Sequence, residues 1–320
     1  MRSEIRRRDV LVGSLGVAVL SGCSRRRAAG ELPRVTIVRA SVYSDDLTGK
    51  IRALLAEHRL DVRGKRVLLK PNLVEFDPGT TVNTHPSVVL AAYEVLRSMD
   101  AAEVRVAEGP GHRRATLDLA EAAGYFAAFS RFESIFTDLN LDEVSAVEFP
   151  RRFSRLRRIY LPNAALGCDL LVSMPKMKTH HWVGATLSMK NLFGLVPGGV
   201  YGWPKNVLHW AGIHECIADL CTLFSRTFAI VDGIEGMEGN GPIQGKRKHA
   251  GVLVGGGDLA AVDATCCRIM GIDPSKVRYL RLCEDRGQTE AENVRQTGES
   301  ISAVRTPFEL IPEFQSIRLA

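Results

Sequence analysis

The sequence predicts an α/β fold in which a mostly parallel sheet is flanked by helices. Short apolar runs bounded by turn residues alternate with longer amphipathic stretches, which is typical of parallel strands joined by crossover helices. The chain has 320 residues, 45% hydrophobic and 24% charged, which excludes a disordered protein and suffices to bury a full core. Because no long linker, repeat or low-complexity tract interrupts it, we expect residues 35–320 to form one domain, or two closely packed halves.

Each predicted element follows from its local pattern. Apolar runs that end in turn residues predict strands at Val35–Val38, Arg66–Lys70, Glu103–Ala107, Arg157–Leu161, Asp169–Met174, Phe228–Val231 and Gly251–Val254. Amphipathic stretches predict helices at Asp46–His58, Ser87–Ser98, Thr116–Ala123, Gly212–Phe224 and Leu259–Met270. The segment Phe149–Arg158 carries five arginines and is either a seam between halves or, as we favour, a solvated basic hairpin.

Residues 1–23 have the parts of an export signal. Arg6-Arg7-Arg8 precedes an apolar run from Val10 to Leu20, and small residues precede Cys23. A run of about 11 residues is too short to span a membrane, which takes about 20. The segment Arg7–Leu11 resembles a twin-arginine signal, with Val10 where Phe or Leu is more usual. Leu20-Ser21-Gly22-Cys23 resembles a lipobox, in which the cysteine receives the lipid.

These features predict an exported protein of the cell envelope. The twin-arginine machinery would carry it, and lipidated Cys23 would anchor it at the periplasmic or outer-surface face of a membrane, with residues 24–34 as a tether. The alternative is an uncleaved basic tail. The formal net charge of +6 is too small to indicate a nucleic-acid partner, and we expect none.

The cysteines do not indicate a metal site. Besides Cys23 they are Cys168, Cys216, Cys221, Cys266, Cys267 and Cys283, and no Cys-x-x-Cys pair occurs. Spacing therefore supports neither a zinc ribbon nor an iron-sulfur cluster, and the cofactor stays unknown. We favour buried apolar thiols over disulfides for these six.

Polar or glycine-rich segments follow five of the apolar strands. They are Lys70-Pro71-Asn72, Glu108–His112, Lys176–His180, Asp232-Gly233 and Gly255–Asp258. In an open α/β sheet, ligands bind beyond the carboxyl ends of the strands. We therefore expect the five segments to face one site.

The segment Lys176–His180 is the richest in reactive groups. If it is extended, Lys176, Lys178 and His180 share a face. Two ammonium groups and an imidazole there would bind an anion, and their mutual repulsion would lower a lysine pKa. The alternative is an exposed basic loop; the Gly-rich segment that leads to Lys190 and Asn191 favours a partly covered setting.

Other candidates are weaker when taken singly. His209 could pair with His180 for proton transfer or, without any spacing signature, for metal ligation. The acidic, glycine-rich segment Asp232–Pro242 follows a strand and could either place a carboxylate opposite the lysines or act as a flexible lid; a plain turn-rich excursion is the alternative. Asp263 lies in an apolar stretch and needs a partner, for which Lys190 and His209 are candidates.

The glycines before the last predicted helix allow two interpretations. The backbone N–H groups of Gly256 and Gly257 could hold an anion, or Asp258 could cap that helix and occupy its free N–H groups.

These motifs, taken in order, resemble the domain-of-unknown-function family 362 over residues 65–285. The likeness is carried by Lys70-Pro71-Asn72, Glu108–Gly111, Pro175–His180, Lys190–Gly194, His209, Asp232-Gly233, Glu238–Pro242, Asp258 and Ala261–Asp263. The resemblance implies little about function. Many members carry ferredoxin-type cysteine motifs near the C-terminus, and because this chain has none there, no iron-sulfur role is carried over.

A looser likeness in layout links the chain to the nickel-pincer lactate racemase family. A Gly-His element, Gly111-His112-Arg113-Arg114, follows an early strand, and a Lys/His-rich segment then leads into a Gly-rich one. We treat this likeness as an analogy.

Two functions from different classes follow. The first is an enzyme that acts on a small anionic, carboxylate-like substrate by lysine and histidine acid-base chemistry; the second is a non-catalytic lipoprotein that binds an anion or cofactor for a membrane partner. A structural protein with a vestigial crevice is the third possibility. The predicted catalytic residues are Lys176, Lys178, His180, His209, Asp232 and Asp263. The predicted anion-binding residues are Lys70, Asn72, Lys190, Asn191, Gly256 and Gly257.

Overall fold

The computed structural model describes residues 31–284 and 287–320. The predicted export signal, Cys23 and most of the tether lie outside the described residues. The strands are β1 Arg34–Arg39, β2 Arg66–Pro71, β3 Glu103–Glu108, β4 Phe136–Asp138, β5 Val144–Glu148, β6 Arg158–Pro162, β7 Leu170–Met174, β8 Lys176–His180, β9 Gly184–Thr186, β10 Thr227–Glu238, β11 Lys246–Gly256 and β12 Arg295–Gly298.

Helices of very different lengths connect these strands. They are α1 Leu47–Glu57, α2 Pro86–Ser98, α3 Thr116–Ala122, α4 Tyr125–Ala128, α5 Phe132–Ile135, α6 Asn163–Leu166, α7 Ser188–Asn191, α8 Gly198–Tyr201, α9 Asn206–Trp210, α10 Ile213–Thr222, α11 Leu259–Ile269, α12 Arg278–Cys283 and α13 Ile301–Val304. Short 3-10 turns occur at Leu192–Leu195, Pro274–Lys276, Ala291–Asn293 and Pro312–Ile317. In the described ranges, no helix has the length and apolar character needed to cross a membrane.

The main sheet is mostly parallel, as the sequence predicts. Its strand order is β12-β1-β11-β10-β7-β2-β3-β4. Strand β11 alone on this path runs against its neighbours β1 and β10. Beyond the end of β7, strand β8 pairs in parallel with β10, and β9 pairs antiparallel with β8. The fold class expected from the alternating pattern is therefore confirmed.

Helices cover both faces of the sheet because successive strand residues point to opposite faces. Leu69 packs with α1 and α2 in one core, whereas its neighbour Leu68 packs with α10 and α11 in the other. In the same way, Leu253 lies in the core that contains Leu69, and Val254 lies in the core that contains Leu68. This double burial explains why the strands are apolar on both sides.

Local side-chain chemistry sets where the longer helices begin. The Asp46 carboxylate accepts a hydrogen bond from the Gly49 N–H at the start of α1, and Pro86 occupies the first position of α2. Asp258 caps α11 in the same way: its carboxylate accepts a hydrogen bond from the Ala261 N–H at 3.0 Å. Carboxylate caps satisfy N–H groups that the helix itself leaves free.

Two predicted segments differ from expectation. The strand near Arg157–Leu161 exists, but it pairs with β5 in a separate two-stranded sheet, and the arginine-rich segment joins the two strands as an exposed basic hairpin. Within the segment Asp232–Pro242, β10 continues to Glu238 and pairs with β11, and residues 239–242 form a turn. The predicted flexible lid is therefore wrong, whereas a carboxylate of this segment, Asp232, does lie opposite a lysine, Lys176.

Candidate functional site

A cavity of about 410 Å³ lies beyond the carboxyl ends of β2 and β3 and against β8. It combines lysines, histidines and amides from distant parts of the chain. Its polar lining includes Lys70, Asn72, Glu108, His112, Lys178, His180, His181, Thr186, Lys190, Asn191, Lys205, Asn206, His209, Asn240 and Gln244. The position matches the expectation that polar segments after parallel strands meet at one edge of the sheet.

Lys178 lies on β8 and is fully buried. Its Nζ donates to the backbone oxygens of Val82 at 2.9 Å and Pro242 at 3.2 Å. Burial lowers its pKa to about 7, and the charges of Lys176 and Lys190 act in the same direction. A neutral amine has two N–H groups and one lone pair, so two carbonyl acceptors leave the lone pair for a proton from the cavity.

Lys190 lies in α7 on the cavity wall, with its Nζ 3.7 Å from the centre of the Phe193 ring. Burial, together with the charge of Lys70, lowers its pKa to about 7. Within the described ranges, no carboxylate forms a salt bridge with Lys190. Its ammonium form is therefore available to an anion in the cavity.

Lys205 is a third cation that the sequence did not single out. It adopts a left-handed backbone conformation with φ of 66° immediately before α9. Its Nζ donates to the Gly109 oxygen at 2.6 Å, and burial lowers its pKa to about 7. The only sequence signal was its place four residues before His209, which is weak.

Lys70 differs from these three lysines because a carboxylate neutralises it. Its Nζ donates to Glu108 Oε2 at 2.7 Å and to Asn191 Oδ1 at 3.3 Å. Burial lowers the Lys70 pKa, whereas the Glu108 charge opposes that shift. A Cβ at Gly194 would lie 2.1 Å from Glu108 Oε1 and 2.4 Å from Lys70 Nζ, so this ion pair requires glycine there. The cavity therefore keeps an excess of cationic groups.

The histidines lining the cavity have defined roles as donors and acceptors. His180 Nδ1 accepts from the Trp182 N–H at 3.0 Å, so its ring proton lies on Nε2. His181 Nδ1 lies 2.7 Å from the Gly241 oxygen and must carry its own proton, because a carbonyl only accepts. Burial and the neighbouring cations hold the pKa of His180 well below its ordinary value, and burial lowers that of His209 to about 4. Both rings are neutral at pH 7.

Two buried oxygen atoms of the lining have no partner within the described ranges. They are Asn72 Oδ1 and Thr186 Oγ1, in residues that are 7% and 4% exposed. Buried polar atoms are normally hydrogen-bonded, and an unsatisfied one costs about 1–3 kcal/mol. A ligand that carries a hydrogen-bond donor would satisfy the Asn72 oxygen.

Lys176 and Asp232 do not line the cavity, although both were expected there. Lys176 Nζ donates to Asp232 Oδ2 at 2.5 Å and to the Tyr43 hydroxyl at 2.8 Å, and both charged side chains are fully buried. The His85 N–H also donates to Asp232. The segment Lys176–His180 is extended, as the predicted shared face requires, but Lys176 does not reach the cavity because its ammonium group is paired with Asp232.

Asp263 also lies outside the cavity lining, and its expected partners are wrong. It accepts from the Ser188 N–H at 2.8 Å, the Ser188 hydroxyl and the Met189 N–H at 3.0 Å, rather than from Lys190 or His209. It thus holds the beginning of α7, the helix that carries Lys190.

Gly256 and Gly257 lie at the opposite edge of the sheet. Because β11 is antiparallel, Gly256 pairs with Val35 and Ala229, near the beginnings of their strands. The expectation that this glycine run faces the cavity is therefore wrong. Its Asp258 caps α11, which was the alternative interpretation.

The remaining predicted site residues lie together in the cavity. Lys70, Asn72, Lys178, His180, Lys190, Asn191 and His209 all line the cavity. Among the described residues, no group of three or more His, Cys, Asp or Glu side chains has an arrangement that could hold a metal ion. The lining offers instead ammonium groups, neutral imidazoles and amide oxygens.

Three comparisons relate this chain to known proteins. The thylakoid-associated protein sll1697 of Synechocystis sp. is 28% identical over 230 residues, which is 70% of this chain and 68% of the relative. The lactate racemase apoprotein from Thermoanaerobacterium thermosaccharolyticum is a structural neighbour with a TM-score of 0.41 and 14% identity. That match covers 80% of this chain, which spans 57% of the racemase chain. The model of the family described as "Domain of unknown function (DUF362)" matches residues 67–268, and the chain therefore belongs to that family.

Proposed function

We propose that this protein is an enzyme that binds a small carboxylate in the cavity and transfers a proton to or from it. One observation carries the proposal: three lysines with a pKa of about 7, Lys178, Lys190 and Lys205, surround a cavity in which the one carboxylate among the described lining residues, Glu108, is already paired with Lys70. A cavity lined by an excess of positive charge favours an anion.

Two of these lysines have different roles in the proposed reaction. Lys190, whose ammonium has no carboxylate partner in the described part of the chain, binds the carboxylate group of the ligand. Lys178, in its neutral form, has both N–H groups directed at carbonyl oxygens and accepts a proton through its lone pair. A base whose pKa lies near the working pH is the most effective for proton transfer.

Neutral histidines supply the complementary group. The Nε2–H of His180 is a donor that its backbone contact leaves unused. It stabilises negative charge on a substrate oxygen, as preorganised donors do in enzyme sites. The unpaired Asn72 oxygen accepts from a hydroxyl or amine of the same ligand, so the favoured substrates are carboxylates with such a group.

Hydrogen exchange tests catalysis separately from binding. The full chain is incubated in deuterated buffer with a panel of small mono- and dicarboxylates, with and without a hydroxyl, and loss of carbon-bound proton signals is followed by NMR. We expect exchange for at least one compound, abolished by Lys178→Met and His180→Gln with little change in Tm. Binding without exchange for every compound would support the non-catalytic, anion-binding alternative instead.

We also propose that the chain is exported by the twin-arginine route and anchored through a lipid on Cys23. The support is the order of basic, apolar and small residues before that cysteine. Fusion of residues 1–34 to a reporter that is active only after export tests this. Export should be lost in Arg7→Lys/Arg8→Lys, and membrane retention in Cys23→Ala; export that survives the arginine changes would exclude the twin-arginine route.

A further inference from the structure

Two thiols face a second cavity at the opposite edge of the sheet from the candidate site. This cavity has a volume of about 540 Å³, and its lining includes Cys221 and Cys283. Cys221 is the next-to-last residue of α10, and Cys283 is the last residue of α12. Neither residue has a part in the function proposed above.

The packing of the two helices brings these thiols to one cavity. The Cys283 thiol donates to the Ala218 oxygen at 3.7 Å, and Ala218 lies one helical turn before Cys221 on α10. Helix α10 packs against α12, and both cysteines line the same cavity. A disulfide needs two cysteines whose backbones are already close and whose side chains converge. The shared cavity and the helix packing favour that arrangement.

The other described cysteines lack this arrangement. Cys266 and Cys267 are consecutive on α11, so their side chains diverge, and both are fully buried. Cys168 donates to the Ala165 oxygen within its own segment. Within residues 31–284 and 287–320, Cys221 and Cys283 are the two cysteines from different elements that line one cavity.

We propose that Cys221 and Cys283 form a reversible disulfide that joins α10 to α12. The oxidant is a small disulfide of the glutathione type: the thiolate of one cysteine attacks it, the first glutathione leaves, and the second cysteine displaces the other. Both thiols lose their proton and are oxidised to one S–S bond, while the oxidant is reduced to two thiols. Arg151 and Arg226 line the same cavity and attract an anionic oxidant.

The bond would stiffen the support of the first cavity. Helix α10 packs against α7, α9 and the 3-10 turn Leu192–Leu195, the elements that carry Lys190, His209 and Phe193. Burial and the contact with Cys283 raise the pKa of the Cys221 thiol, so oxidation is expected to be slow near neutral pH. The inference does not depend on the proposed enzymatic function.

The test is oxidation of the purified full chain with glutathione disulfide, followed by peptide mass spectrometry without reduction. We expect one cross-linked peptide pair that joins Cys221 to Cys283, with a loss of about 2 Da relative to the two thiol peptides. The cross-link should raise Tm by about 5 °C or more, and a reductant should reverse the shift.

Matched variants distinguish this pair from general thiol oxidation. Cys216→Ser, on the same helix, should keep the cross-link and the Tm shift, whereas Cys221→Ser and Cys283→Ser should each lose both. If Cys221 and Cys283 instead remain thiols, carry separate glutathione adducts or join other cysteines, the proposal is overturned.

Discussion

Asp263 accepts hydrogen bonds from both the backbone N–H and the hydroxyl of Ser188, at the first residue of α7. The carboxylate is fully buried in α11, so it links the helix layer to the short helix that presents Lys190. Burial raises the Asp263 pKa to about 7, whereas the Ser188 and Met189 hydrogen bonds oppose that shift. Asp263 is therefore a positioning residue for the candidate site.

The first prediction concerns this contact. Asp263→Asn keeps the size but replaces one acceptor oxygen by an amino group that faces N–H donors. We expect a loss of about 1–3 kcal/mol in the free energy of unfolding, measured by urea denaturation, because a buried donor loses its acceptor. Ser188→Ala is the matched control: it removes the hydroxyl bond alone and should cost about 1 kcal/mol. An Asp263→Asn protein as stable as the parent would contradict the assignment.

The second prediction concerns the buried pair of Lys176 and Asp232. Lys176→Met leaves the Asp232 carboxylate without its counter-charge in a dry interior, and we expect destabilisation by about 3–5 kcal/mol. Asp232→Asn should cost a similar amount. The double variant should cost clearly less than the two single changes together, because it leaves no uncompensated charge. Additive losses in urea denaturation would show that the two residues stabilise the fold independently.

The sequence predicted the position of the site because parallel strands end at the same edge of a sheet. Lys70, at the end of β2, and Lys178, which follows β7, were placed together on that argument alone, and the structure brings them to one cavity. The same argument failed for Gly256, because an apolar run carries no information about strand direction. The sequence did contain a signal for the antiparallel direction of β11. No amphipathic helix separates β10 from β11, and parallel neighbours need a crossover of about a dozen residues or more.

The contacts of individual side chains were harder to predict from the sequence pattern than the position of the site. Alternation along the strand placed Lys176 beside Lys178, but it could not show that Asp232 of β10 pairs with Lys176 and keeps it out of the cavity. Lys205 was missed because a single buried lysine before a short helix has no periodic signature. Such contacts depend on the packing of elements distant in sequence, and local spacing cannot show them.

The third prediction concerns stability against pH. Lys178 titrates near pH 7 in the folded chain but near its ordinary value of 10.5 when unfolded. Between these values the unfolded chain binds the extra proton, so the free energy of unfolding rises with pH by up to about 1.4 kcal/mol per unit. The full gain in the free energy of unfolding from Lys178 is present above pH 10.5, and it is lost as the pH falls through 7.

Comparison with Lys178→Met isolates that contribution. The methionine has a similar volume and does not titrate, so the stability difference between parent and variant should grow in favour of the parent from pH 7 to 8.5. Urea denaturation at several pH values measures it. Lys276→Gln, at an exposed lysine, should follow the parent at every pH. A difference that stays constant with pH would mean that Lys178 keeps its charge in the folded chain.

The last prediction concerns anion affinity. Lys190 is a cation without a carboxylate partner in the described part of the chain, and it binds an anion only in its ammonium form. Calorimetry with acetate and malonate should therefore show affinity that falls as the pH rises from 6 to 8.5. At pH 6, Lys190→Gln should weaken binding by about tenfold, which corresponds to about 1.4 kcal/mol.

The variant should also respond less to pH, since Lys178 and Lys205 would be the remaining titrating cations of the cavity. Lys276→Gln should bind like the parent, because Lys276 is exposed and outside the cavity lining. If two of the lysines bind one ligand together, Lys190→Gln should weaken the binding of malonate, a dicarboxylate, more than the binding of acetate. Equal affinity at pH 6 and 8.5 in the parent would show that the ammonium groups do not hold the anion, and the amide and imidazole donors would then be the residues to replace.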